Sequence, residues 1–478
     1  MLHKLFPVSL LIFLVYTPAL LQAQAYKKQL ISSIESKQET YQQLALDIWN
    51  YAELGYQETK SAQALQNELQ AAGFSIESAV ADIPTAFVAS YGSGEPVIGI
   101  LGEYDALPGL SQAAVPERQI LEDGGAGHAC GHHMFGVASA ASAIAIKDWL
   151  AKSGKAGTVR FYGTPAEEGG SGKVYMVRAG LFDDVDVVLQ WHPSSFNDAS
   201  PGTTLANKSG KFRFYGEASH AAFAPERGRS ALDGVEAMNF MVNMMREHTQ
   251  EGSRIHYVIT KGGEAPNVVP NFAEVYYYVR HKDVAEVKDM WQRLVRAAEG
   301  AARGTDTRVE VEVTGGVYNI LPNETLARLM YENLKELGGI SYDNEETAFA
   351  EEISKTLGKN AASLSMAGEI LPFEMTEGKA SSDVGDVSWA VPTVGLRTAT
   401  WVPGTSAHSW QAVAAGGMSI GMKGMLLAAK AMAVTGVELM QKPKLINEAK
   451  KEFEQRRGEG FEYQSLVGDR QPPLDYRQ

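Results

Sequence analysis

Three times before residue 200, an apolar run of strand length stops and is followed at once by residues able to bind a metal or move a proton. Pro96-Val-Ile-Gly-Ile-Leu-Gly102 enters Glu103-Tyr-Asp105-Ala-Leu-Pro108-Gly109. Val159-Arg-Phe-Tyr-Gly163 enters Thr164-Pro165-Ala166-Glu167-Glu168-Gly169-Gly170, and Val185 to Trp191 runs into His192-Pro193. Short apolar runs bounded by glycine and proline read as buried strands. In open α/β sheets the functional crevice lies outside the carboxyl ends of the strands. The alanine-rich stretch Phe135 to Lys152 reads as a packed helix between two of these strands. Tyr26 to about Ala72 reads as helical, with Leu44, Ile48, Leu54, Leu65 and Leu69 at three- and four-residue spacing. The expectation is an α/β fold, a mixed sheet flanked by helices, with its chemistry along one edge.

The middle of the chain follows another pattern. A strand at Lys211 to Gly216 and an amphipathic helix at Arg229 to His248 precede strands at Arg254 to Lys261 and Phe272 to His281. A charged helix (Ala285 to Ala302) and a strand (Arg308 to Thr314) follow. The order β-α-β-β-α-β is that of a ferredoxin-like α+β unit. Helix and strand patterns like the first part resume after Pro322, so the unit reads as an insertion. The expected organisation is a catalytic domain over 26–207 and 323–445, an inserted lid over 208–322 and a tail over 446–478 wrapping the surface. A length of 478 residues suits two domains.

Met1 to Ala25 reads as a cleavable secretory signal. His3 and Lys4 give a basic start, Leu5 to Leu21 is almost wholly apolar, and Ala23-Gln24-Ala25 offers small residues for cleavage. The mature chain is therefore expected in the periplasm or outside the cell. A net charge of −14 argues against nucleic acid or anionic membrane as partner.

In such a compartment the single cysteine has no disulfide partner within the chain. It lies in Gly127-His128-Ala129-Cys130-Gly131-His132-His133, which holds three of the ten histidines. A thiolate and imidazoles packed this closely are ligands for a transition metal. Taken singly, a buried cysteine or histidine is more often core packing. The downstream Glu167-Glu168 pair, His192 and His408 favour metal for the set.

These pieces, together with Ser219-His220-Ala221-Ala222, Pro266-Asn267-Val-Val-Pro270 and Ala407-His408-Ser409-Trp410, occur in an order that resembles the aminoacylase/carboxypeptidase-type amidohydrolases. The similarity is to the Cys/His branch with hippurate and auxin-conjugate hydrolases. Within it, Ser382-Asp383-Val-Gly-Asp-Val-Ser-Trp389 and Pro403-Gly-Thr-Ser-Ala-His-Ser-Trp-Gln411 look most like aminobenzoyl-glutamate hydrolases of the B type. The resemblance implies a zinc-peptidase-like catalytic domain whose lid also mediates dimerisation. It implies two divalent metal ions, zinc or manganese with cobalt or nickel also suited, held by Cys130, His132, Glu168, His192 and His408. Glu167 would be the general base acting on a metal-activated water, and His220 the donor to the oxyanion, from the other subunit. Asn267 and Arg280 would hold the substrate carboxylate. Asp105 would orient a ligand imidazole, while Glu103 stands where better-known relatives have a histidine ligand. His128 and His133 are not required as ligands. The implied reaction is cleavage of the amide bond of N-acyl or N-aroyl amino acids of the aminobenzoyl-glutamate kind, with dipeptides of the same fold's dipeptidases as the alternative. The implied assembly is a homodimer or a heteromer with an A-type subunit.

Overall fold

A computed structural model describes residues 25–477. Apart from Ala25, the expected signal segment lies outside them. Five strands come first: β1 (Ser75–Ser78), β2 (Phe87–Ser93), β3 (Val97–Gly102), β4 (Gly157–Gly163) and β5 (Val187–Ser194). After the short β6 (Gly202–Thr203) come β7 (Ala206–Tyr215), β8 (Arg254–Lys261), β9 (Phe272–His281) and β10 (Arg308–Val317). The short β11 (Thr376–Glu377) and β12 (Thr393–Ala399) complete the set.

The larger sheet has the order β1-β2-β4-β3-β5-β12. Its β4, β3, β5 and β12 run parallel, while β1 and β2 are antiparallel additions at one edge. The parallel strands are apolar along their length because helices cover them. Two of these helices, His132–Ser153 and Ser419–Gln441, are apolar nearly all round, as helices buried within a core are. Parallel pairing aligns the carboxyl ends of β3, β4 and β5, so the loops carrying Glu103, Glu167 and the end of β5 with His192 open on one side. His192 itself lies within β5, which runs three residues beyond the apolar stretch ending at Trp191.

The inserted unit has the sheet order β10-β7-β9-β8, all antiparallel, with helices Ala231–Met245 and Val284–Gly304 on one face. This is the ferredoxin-like arrangement expected from the sequence. It has its own apolar core, including Phe212, Val235, Tyr277 and Trp291, apart from the core around the larger sheet.

Two local expectations differ. The N-terminal helical stretch is three helices, 25–35, Gln38–Tyr51 and Thr59–Ala71, broken where Ala52 turns left-handed and Leu54 bridges to Ala106. The tail does more than wrap the surface. Helix Pro443–Arg457 runs across the expected boundary at 445/446, and Leu466 is buried in the core of the inserted unit.

Candidate metal centre

Gly131 sits at φ +76°, a left-handed value that glycine adopts freely. A Cβ there would stand 2.7 Å from Pro193 Cβ, so the close approach of this loop to β5 also needs glycine. The turn starts the helix at His132 and brings Cys130 Sγ to 3.6 Å from His192 Nε2. His192 Nδ1 is 2.8 Å from the Pro193 carbonyl. Nδ1–H therefore donates to that oxygen, and the Nε2 lone pair faces the thiol. Burial pushes His192 down to about 3, so its imidazole is neutral and ready to ligate.

From β4 the chain passes through Ala166 at φ +58°, a strained value for alanine. The buried Glu58 carboxylate secures that turn by accepting from Ala166 N at 2.8 Å. Glu168 follows, its amide donating to Asp105 Oδ2 at 2.9 Å. Its Oε1 reaches 3.0 Å from His408 Nε2. His408 is itself left-handed at φ +60°, and its amide donates to the Ala129 carbonyl at 2.9 Å.

The structure thus brings all five expected ligands together, as two groups that share Cys130. Cys130, His132 and His192 form one, and Cys130, Glu168 and His408 the other, with ligand atoms in each within 4.8 Å of one another. His132 Nε2 and Glu168 Oε1, one from each group, are buried and make no well-aligned hydrogen bond, although Glu103 and His408 stand 3.0 Å from them. Burial pushes the Cys130 thiol up, so a thiolate here requires a positive partner beside it. A thiolate flanked by imidazoles and a carboxylate is a donor set that fits two divalent cations.

The electrostatics around the groups point the same way. Burial would neutralise His132, yet Glu103, Cys130 and Asp105 outweigh it and hold its pKa well above the usual histidine value. Asp105 Oδ1 lies 2.9 Å from Nδ1 and Glu103 Oε2 lies 3.0 Å from Nε2. Burial, reinforced by Glu103, Glu168 and Asp383, pushes Glu167 well above the ordinary carboxylate range. Such a carboxyl holds a proton more readily than an ordinary glutamate, which suits a group that must accept one.

Lys173 went unread in the sequence. Its side chain is fully buried, and Nζ stands 2.7 Å from Glu103 and 2.8 Å from Asp383. Its amide also donates to Asp383 at 3.0 Å. Nothing in Gly172-Lys173-Val174 announces this, because both acids come from distant segments. A second feature missed is the end of the tail. Tyr476 Oη and Arg477 Nη2 donate to the Glu168 carbonyl at 3.2 and 2.6 Å.

His128 and His133 are neutral core residues, both held low chiefly by burial. They bond to the carbonyls of Ile48 and Gly416 at 3.0 Å each, fastening the Cys/His loop to its neighbours. The three lid residues are not at the centre. His220 and Asn267 share an exposed tip, where Ala221 N donates to the Asn267 carbonyl at 3.0 Å. Arg280 lies at the other end of β9, paired in register with Asn207 and roughly 26 Å away at strand spacing. It has no carboxylate partner among the described residues.

The centre opens into a cavity of about 750 Å³, lined by Cys130, Glu167, Glu168, His192 and His408 and extending along β12 to Arg397. That is room for a small-molecule substrate.

Residues 99–411 match the family model described as peptidase family M20/M25/M40. The chain is 43% identical over 450 residues to the B-type subunit of p-aminobenzoyl-glutamate hydrolase from Escherichia coli, covering 88% of this chain and 94% of that one. It is 30% identical over 453 residues to the mouse (Mus musculus) Xaa-Arg dipeptidase, covering 91% and 94%. Among solved structures, a dinuclear metal-binding peptidase of the M20 family from Bacillus subtilis superposes with TM-score 0.57 at 18% identity, covering 87% of this chain and 99% of that one. An aminobenzoyl-glutamate utilization protein from Klebsiella pneumoniae superposes with TM-score 0.58 at 17% identity, covering 87% and 98%.

Proposed function

The chain belongs to peptidase family M20/M25/M40, a hydrolase family acting on amide and peptide bonds, and from that premise we propose that it cleaves N-aroyl amino acids of the p-aminobenzoyl-glutamate kind. The observation that carries the proposal is the pair of ligand groups joined at Cys130 with Glu167 beside them. Two divalent cations, zinc or manganese with cobalt and nickel also suited, supply Lewis-acid polarisation of the scissile carbonyl and of water when bound. His132 and His192 would hold one and Glu168 and His408 the other, with Cys130 common to both groups. Asp105 fixes the ring of His132 through Nδ1. Glu167 takes a proton from the attacking water and delivers it to the amide nitrogen as the C–N bond breaks.

Lid residues complete the site in a dimer. His220 and Asn267 lie too far from Arg280 for one lid to bring all three to one substrate. His220 of the partner subunit donates to the oxyanion, Asn267 of the partner subunit helps grip the substrate carboxylate, and the chain's own Arg280 stays opposite Asn207, where the inserted unit begins. The edge strand β8 and helix Ala231–Met245 offer a surface for that partner, with Phe240 67% and Val258 55% exposed. The partner is a second copy, and an A-type subunit is the alternative that a native mass would reveal. The substrate is a small acyl amino acid. The enzyme acts outside the cytoplasm after cleavage behind Ala25, which N-terminal sequencing of the exported chain tests.

The resemblance to Xaa-Arg dipeptidases keeps dipeptides as a second reading. The deciding assay offers p-aminobenzoyl-glutamate, hippurate and Xaa-Arg dipeptides to the metal-loaded protein. Glu167→Gln should lower kcat by about 10²–10⁴-fold while metal content and melting temperature hold. Turnover of dipeptides alone overturns the aroyl-amino-acid reading, and a Glu167→Gln variant of normal rate overturns the role of Glu167.

A further inference from the structure

We infer that Arg397 is the specificity residue of the cavity, and that it receives a second carboxylate of the substrate, separate from the one at the amino acid's α-carbon. The inference rests on the amide-hydrolase reading above and adds to it the residue that selects dicarboxylate substrates.

Arg397 lies on β12, which pairs in parallel with β5, and its partner in register is the ligand residue His192. Side chains in register on neighbouring strands share a face, with backbones about 4.8 Å apart. Both residues line the same cavity. The backbone of Arg397 is fixed by two hydrogen bonds with Asp198, at 2.6 and 3.0 Å. Its guanidinium has Phe196 at 5.8 Å from the ring centroid.

The charge itself is unanswered. Among the described residues no carboxylate comes within 4.0 Å of the guanidinium, and its nitrogens make no hydrogen bond. Asp198, whose backbone pairs with that of Arg397, accepts from Ser200 N at 2.8 Å through its carboxylate. Arg213, by contrast, is paired with both Glu274 and Glu312. An exposed, backbone-anchored arginine facing a cavity rich in hydroxyl side chains, including Ser194, Ser381 and Ser382, is suited to a carboxylate from solution. The same cation repels an arginyl side chain, so it favours acyl-glutamate over Xaa-Arg substrates. The second carboxylate could belong to the amino-acid side chain or to the acyl group.

Calorimetric binding to the metal-loaded Glu167→Gln protein separates these sources without turnover. One pair of ligands is N-benzoyl-glutamate and N-benzoyl-glutamine, and the other is N-succinyl-alanine and N-butyryl-alanine. The charged member of one pair should bind about 10–100-fold tighter than its neutral mate. A preference in the first pair places the carboxylate on the amino acid, and one in the second places it on the acyl group. Adding Arg397→Met should abolish the preference, and Arg397→Lys should restore part of it. Equal binding within both pairs, or a preference that survives Arg397→Met, overturns the inference. If the parent enzyme hydrolyses none of these amides while the preference still follows Arg397, the amide-hydrolase reading fails and the anion site stands.

Discussion

Replacing Lys173 with methionine tests the electrostatic frame of the metal centre. The ammonium contacts Glu103 at 2.7 Å and Asp383 at 2.8 Å, and all three groups are almost wholly buried. At an effective dielectric of ~20, each contact is worth about 6 kcal/mol of Coulomb attraction. Burying each ion costs several kcal/mol, so the net value of the triad is small. Removing only the lysine leaves that desolvation cost unopposed at two carboxylates, and such a break costs about 3–5 kcal/mol. For a domain of this size that is a fall in Tm of roughly 10 °C. The assay is thermal denaturation followed by circular dichroism, with bound metal measured in parallel. Lys173→Met combined with Asp383→Asn should recover part of the loss, because one of the two stranded charges is gone. A single variant melting within about 2 °C of the parent would refute the reasoning, since the triad would then have no electrostatic role.

Three further outcomes follow from the geometry. Cys130→Ser replaces the ligand atom shared by both groups, so metal retained after dialysis, read by elemental analysis, should fall at both sites together. Retention of one full equivalent would mean the groups do not depend on a shared sulfur. Removing residues 471–478 deletes the donors to the Glu168 carbonyl. It should lower kcat more than it raises KM and cost about 1–3 kcal/mol of stability, and unchanged kinetics would show the tail to be passive. Asp386 is pushed up to about 7 by burial, although Tyr463 and Tyr318 donate to it at 2.6 and 3.0 Å. Its folded pKa lies above its unfolded one, so the penalty for ionising it is absent below about pH 4 and complete above about pH 7. The Tm of the parent should therefore fall relative to Asp386→Asn as pH rises through that window, and parallel Tm profiles would refute the assignment.

What could be read in the sequence was what is local or periodic. The β9 strand was delimited to the residue, because Ala273, Val275, Tyr277 and Val279 alternate with Glu274, Tyr276, Tyr278 and Arg280. The ferredoxin-like order followed from the sequence of periods alone, and the five expected ligand positions, spread over four separate segments, from the family resemblance. His192 was placed just past its strand because the apolar pattern stops at Trp191. The strand continues because pairing to β12 extends to Ser194. Lys173, Asp383 and the end of the tail were invisible as partners for a common reason. Their contacts join segments up to 309 residues apart and leave no periodic trace. Arg397 was hidden similarly, since its significance lies in a register with His192 that only the folded sheet creates.

The charge balance at the centre ties these observations together. Glu103, Asp105, Glu167, Glu168 and Asp383 converge on one buried region, where Lys173 is the only lysine among the described residues paired with them. A proton on Glu167 and another on His132 narrow the deficit without closing it. A low-dielectric site with unbalanced anions is unfavourable unless cations enter or carboxyls protonate. Divalent cations held at the two groups sharing Cys130 would supply the missing charge, and His132, whose pKa the surrounding acids raise, would have to give up its proton to ligate. Lys173 then has a purpose distinct from ligation. It pairs with Glu103 and Asp383, two acids outside the expected ligand set, and makes no ion pair with Glu168.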